Sequence, residues 1–166
     1  MATDHALTND QSNRELVITR LLHAPRELVF EVFTDPDQVS KWWGPGGFTN
    51  TLLELDLRPG GVWRHIMHGP DGTDYPNLSV FKEIVKPERL VFTHGTGLEN
   101  DPVMFISTIT FEARGSKTML TMRMLFNTAA ELDHVVKKYN AIEGGYQHLD
   151  RLEAYLVRFN LKIINQ

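Results

Sequence analysis

The succession of apolar periods along the chain predicts an α+β fold: a curved antiparallel sheet of about seven strands around a long C-terminal helix, with two short helices between strands 1 and 2. Three observations carry this prediction. Seven stretches between residues 15 and 126 read as strands, by alternation or by β-branched and aromatic content. Pro- and Gly-rich turn signals separate most of them. After Thr128 the period changes to a helical one, which runs to about Phe159.

The elements follow in order. Residues 1–13 are polar and aperiodic and are expected to form a flexible tail; a single domain is expected over residues 14–160, with a short C-terminal tail over 161–166. Glu15 to His23 is rich in Leu, Val, Ile and Thr, a strand composition. Ala24-Pro25 opens a helix, with Pro25 at the first helical position and Leu28, Val29, Val32 and Phe33 on one face. Asp35 caps a second helix that starts at Pro36, buries Val39 and Trp42, and ends at Gly44-Pro45-Gly46-Gly47. Trp42 is expected to pack under the sheet. Phe48 to Leu57 places Leu53, Leu55 and Leu57 on one face; Pro59-Gly60-Gly61 turns the chain into Val62 to His68. Gly69-Pro70-Asp71-Gly72 is a turn, followed by strands from Tyr75 to Val85 and from Arg89 to His94. Val103 to Glu112 and Thr118 to Phe126 form a hairpin. Its two apolar sets are Phe105, Ser107, Ile109 and Phe111, and Leu120, Met122, Met124 and Phe126. Thr128 and Glu131 read as the capping box of the last helix. Its inner stripe is Ile142, Gly145, Leu149, Leu152 and Leu156, and Gly144-Gly145 mark a kink or a close approach to the backbone.

Composition removes several functions. The chain has 166 residues and no cysteine, so disulfides, thiolate metal sites and a cysteine nucleophile are excluded. A net charge of −4 without a basic run makes nucleic acid an unexpected partner. No apolar stretch approaches the roughly 20 residues that span a bilayer, and the first residues resemble no signal peptide. A cytoplasmic protein, monomer or homodimer, is expected.

Alternation decides which residues share a face. Trp63, His65 and Met67 go together, as do Leu90, Phe92 and His94. His65 and His68 fall on opposite faces and cannot share an ion; no His-Glu-x-x-His motif is present, so no metal and no cofactor are expected. No Gly-x-Ser-x-Gly elbow is present either, and no acid stands beside Ser107, His65 or His94, so no catalytic residue is assigned. Polar groups spaced along apolar faces suit a small-molecule cavity, and they equally suit a filled core with satisfied polar residues.

Several segments together resemble a known family: Trp42-Trp43-Gly44-Pro45, Arg58-Pro59-Gly60-Gly61-Val62-Trp63-Arg64, Gly69-Pro70-Asp71-Gly72, Pro87-Glu88-Arg89-Leu90-Val91-Phe92-Thr93 and Gly145-Tyr146-x-x-Leu149-x-x-Leu152. The family is that of the bacterial proteins related to the activator of Hsp90 ATPase, in the START/Bet v 1-like superfamily. The resemblance covers about residues 14–158. It departs at Tyr146, where relatives more often carry Trp, and at His23, where they carry a small capping residue. The resemblance implies a helix-grip fold with a cavity between sheet and helix. The cavity would bind a hydrophobic or aromatic small molecule. Its expected lining is Trp63, His65, Met67, Phe92, His94, Phe105, Ser107, Phe111, Met122, Met124, Tyr146 and Leu149. The resemblance also implies two alternatives. One is modulation of an Hsp90-type chaperone. The other is an enzyme of the polyketide cyclase/aromatase kind, which would need His65 and His94 in one closed pocket.

Overall fold

The computed structural model describes residues 13–98 and 101–164. Its strands are β1 (Glu15–Leu22), β2 (Thr49–Leu55), β3 (Val62–His68), β4 (Asp74–Val85), β5 (Arg89–Gly95), β6 (Phe105–Arg114) and β7 (Lys117–Phe126). They form one antiparallel sheet in the order β1-β7-β6-β5-β4-β3-β2. Each strand from β2 onward pairs with its successor. The connection from β1 to β2 must cross from one edge to the other, and helices α1 (Arg26–Thr34) and α2 (Pro36–Trp42) make that crossing. Helices α3 (Ala129–Tyr139) and α4 (Ala141–Ile164) follow β7. This is the expected α+β arrangement of a sheet against a C-terminal helix.

Local chemistry sets the boundaries. The Asp35 carboxylate accepts the Asp37 N–H at 2.8 Å with Pro36 in the first turn, which starts α2. The Thr128 hydroxyl accepts the Glu131 N–H at 3.1 Å and starts α3. Pro25 itself is the cap residue of α1, one position earlier than expected, and makes no side-chain cap bond. The β6–β7 register pairs Phe105 with Phe126, Ser107 with Met124, Ile109 with Met122 and Phe111 with Leu120, so the two apolar sets share one face. That face packs on α4 through Leu149, Leu152 and Leu156, all fully buried with Ile18, Leu22 and Trp42 in one core. Each such leucine contributes about 1.5–3 kcal/mol by leaving water.

Three expectations need correction. The C-terminal helix is two helices, and the break is at Asn140, not at Gly144-Gly145: Asn140 adopts a left-handed φ of 51° that ends α3, and its side-chain amide donates to Glu143 in the first turn of α4. α4 then continues to Ile164, past the expected tail boundary; residues 1–12, and with them most of the expected N-terminal tail, lie outside the described residues. In β2 a bulge between Leu52 and Glu54 shifts the register, so Leu52 and Leu55 pack against the core while Leu53 is 55% exposed and Leu57 is also exposed.

The β2–β3 turn shows why two glycines stand together. Gly60 has a φ of +83° and open space around its Cα, whereas a Cβ on Gly61 would lie 2.1 Å from the Asp56 carbonyl oxygen. Gly60 N–H donates to the Phe81 carbonyl and Phe81 N–H to that of Gly61, so the turn is also docked on β4. Gly60→Ala is expected to cost about 1–2 kcal/mol from backbone conformation alone. Gly61→Ala is expected to cost more, roughly 3 kcal/mol, because backbone must move. Urea unfolding of both variants checks this; equal losses would contradict the packing account.

Candidate ligand cavity

The inner face of the sheet carries a polar row within an aromatic lining. Alternation places Trp63 opposite Ser79, Ser79 opposite His94, and His94 opposite Phe105 across β3 to β6. One step along lie His65 and Asn77, which are paired, and Ser107 beside Phe92. His65, Asn77, Ser79 and Ser107 are all buried. His65 stacks on Trp63 with ring centres 4.5 Å apart, and His94 stacks on Phe105 at the same distance.

Helix α4 supplies the opposite wall. His148 is buried, and its ring sits edge-on to Trp43 at 4.4 Å. Its Nδ1 accepts the Gly44 N–H at 3.0 Å. Arg151, one turn on, donates through Nη1 to the carbonyls of Trp43, Gly44 and Pro45 at 2.9–3.1 Å. Trp43 in turn meets Trp63 at 4.5 Å, so the α2 end, the sheet and α4 converge at one point. Both Trp42 and Trp43 are buried, and the Trp42 indole N–H donates to the Val32 carbonyl at 3.0 Å.

Beside this junction lie two adjoining hollows that share Pro45, Met67, His94, Phe105, Val135, Tyr139 and Gly144 in their walls. The inner one, about 240 Å³, reaches Phe92, Ser107, Met122, Met124 and His148. The outer one, about 590 Å³, opens past Phe48, Tyr75, Asn77 and Gln147. Among the described residues, Glu143 is the one ionised side chain in either wall. Helix α3 has no fully buried residue, yet its Val135 and Tyr139 contribute to both hollows.

Of the residues expected to line a cavity, Met67, Phe92, His94, Phe105, Ser107, Met122 and Met124 border the inner hollow. Trp63, His65, Phe111 and Leu149 are buried in the packed core around it and are not in its wall. Tyr146 is 47% exposed, because one residue beyond Gly145 is a rotation of about 100° away from the inner stripe. Ile142, expected on the same stripe, is also exposed. His148, Val135 and Tyr139 were not on that expected wall. All three were legible from helical spacing: Val135 and Tyr139 form an i, i+4 pair on α3, and His148 stands three residues after Gly145 and four before Leu152 of the inner stripe.

The two glycines of α4 divide their roles. A Cβ on Gly145 would lie 2.1 Å from Ile18 Cδ1, so β1 packs directly against the helix there. A Cβ on Gly144 would meet only Pro45, at 3.6 Å, and faces both hollows.

His65 and His94 both lie on the inner face, but no carboxylate accepts from either ring among the described residues, and no group of three His, Asp or Glu converges there on a point that could hold an ion. His68 bonds Thr51 and Asp74, each at 2.7 Å, on the opposite face of the sheet and away from the cavity. No described helix is long and apolar enough to cross a membrane.

A family model described as "Activator of Hsp90 ATPase homolog 1-like protein" matches residues 23–157. The chain belongs to that family. No curated protein matches it. Among solved structures it is similar to a Mycobacterium smegmatis protein at 28% identity and a TM-score of 0.81, covering 90% of this chain and 95% of that one. It is likewise similar to a Nitrosomonas europaea protein at 26% identity and a TM-score of 0.81, covering 90% and 98%. Both likenesses, over 90% of this chain, support the helix-grip arrangement.

Burial keeps the three inner histidines neutral. Loss of hydration pushes His65 down to about 3, with a smaller contribution from His94. It pushes His148 to about 3, helped by the Arg151 charge, and His94 to about 4. The unfolded chain binds protons near the ordinary 6.5 and the folded chain does not. Stability is therefore complete above 6.5 and is lost as pH falls from there toward 4 and 3. Between pH 7 and 5 each imidazole that stays neutral is expected to remove roughly 2 kcal/mol. Urea unfolding at the two pH values measures this, and His148→Phe should show a shallower decline.

Proposed function

We propose that this protein binds a hydrophobic or aromatic small molecule in the cavity between its sheet and α4. One observation carries the reading: the two hollows under α3 and α4 are walled by Phe, Met, Trp and Tyr side chains, interrupted by a few neutral polar groups and the Glu143 carboxylate. A site of this composition gains affinity from apolar contact and orientation from the polar groups. Four of the wall residues are methionines, Met67 and Met104 at the outer side and Met122 and Met124 further in. Their unbranched, polarizable chains suit ligands of differing shape. The fold and the family membership support a binding role without naming the ligand.

Two measurements test the reading. Native mass spectrometry and thermal unfolding with a panel of mono- and bicyclic aromatic compounds should find binders. At a hundred times Kd a binder adds about 2.7 kcal/mol, or roughly 5–10 °C in Tm for a chain of this size. Gly144→Leu should place its side chain in the hollows, gain helix propensity of about 1 kcal/mol, and abolish that Tm shift while the protein stays folded. A panel without a single binder, or full binding by the Leu variant, would remove the proposal.

A further inference from the structure

The walls of the two hollows specify more than an apolar ligand, and the added specificity rests on the binding role proposed for the cavity. Among the described residues no lysine or arginine lines either hollow. The Arg151 guanidinium, outside both walls, donates through Nη1 to three backbone carbonyls. The single charged wall residue among those described is an acid, Glu143, which already accepts from Asn140 at 2.8 Å and from Gln147 at 3.5 Å. A carboxylate or phosphate would therefore enter without a counter-charge and beside a negative one, at a desolvation cost that nothing offsets.

The polar groups that remain are neutral hydrogen-bonding groups. His94 lines both hollows; a neutral imidazole offers one donor and one acceptor. Ser107, on the neighbouring strand, lines the inner hollow and offers both through one hydroxyl. His148 lines the inner hollow as well, but its Nε2 is shut off by the packing around the ring and is out of a ligand's reach. A ligand hydroxyl can pair with His94 and Ser107, which a hydrocarbon of the same shape would only desolvate.

We propose that the cavity selects against anionic ligands and favours a flat apolar molecule bearing a hydroxyl group that bonds to the His94 and Ser107 pair, with acids of the same shape rejected.

A matched series tests this by calorimetry on the full chain at pH 7.5: naphthalene, 2-naphthol and 2-naphthoate. 2-Naphthol is expected to bind about tenfold more tightly than naphthalene, although it is the more water-soluble of the two, and at least about tenfold more tightly than 2-naphthoate. Naphthalene and 2-naphthol binding alike would overturn the polar selection while leaving the binding reading intact. 2-Naphthoate binding as tightly as 2-naphthol would overturn the exclusion of acids. No binding by any of the three would remove both. His94→Phe keeps the aromatic volume and should reduce the naphthol preference to less than threefold. Ser107→Ala is the milder companion should the first variant not fold. A tenfold preference that survives in both would overturn the assignment to this pair.

Discussion

The hold of α4 on the Trp43–Pro45 backbone is the contact on which the rest of the site depends. One Arg151 nitrogen accounts for three consecutive carbonyls, and His148 accounts for the N–H between them. These groups leave α2 with no strand partner of their own, so buried and unpaired they would each cost about 1–3 kcal/mol. Their satisfaction by a helix more than a hundred residues away fixes where α2 ends and where Trp43 points. Trp43 then packs on Trp63 and His148, and Pro45 and Gly44 become part of the cavity wall. The Asn50 side chain, which donates to the carbonyls of Ser40 and Trp43, ties the same corner to β2.

The same junction explains how a core of this kind contains polar residues. The Trp63 indole N–H, both nitrogens of His65, the Ser79 hydroxyl and His148 Nε2 are buried without partners among the described residues. Most lie on or next to the row that runs from β3 to β5 beside the hollows. A fully packed apolar core would be more stable than one with these groups. They concentrate at the cavity side and not beneath α1, where Phe30, Phe33 and Phe111 pack edge to face, so the part of the core under α1 is the more completely apolar.

Much of the architecture was legible because it depends on short-range periods. The β6–β7 hairpin follows from strict alternation, and its register brings the two apolar sets to one face. The caps at Asp35 and Thr128 follow from side chains that reach N–H groups two or three residues on. The misreadings share a cause as well. A bulge inserts one residue and inverts the alternation, so Leu53 leaves the core with no change of composition to announce it. An asparagine that adopts a left-handed φ ends a helix as a glycine does, and the helical period of the apolar residues passed over Asn140 unbroken.

By itself, then, the sequence determined the class of fold, the strand and helix order and the faces on which Phe92, His94, Phe105 and Ser107 lie, since each rests on periods of two or 3.6 residues. Only the tertiary structure decided which inward residues border open space. Trp63, His65, Phe111 and Leu149 share the inner side with Met67, His94 and Met124, yet the first four are packed over and the last three are not. That distinction depends on the position of α4 across the sheet, which is set by Gly145 against Ile18 and by Arg151 on the Trp43–Pro45 backbone. Contacts between residues so distant in the chain leave no period in it, because their geometry exists only once the sheet and the helix have met.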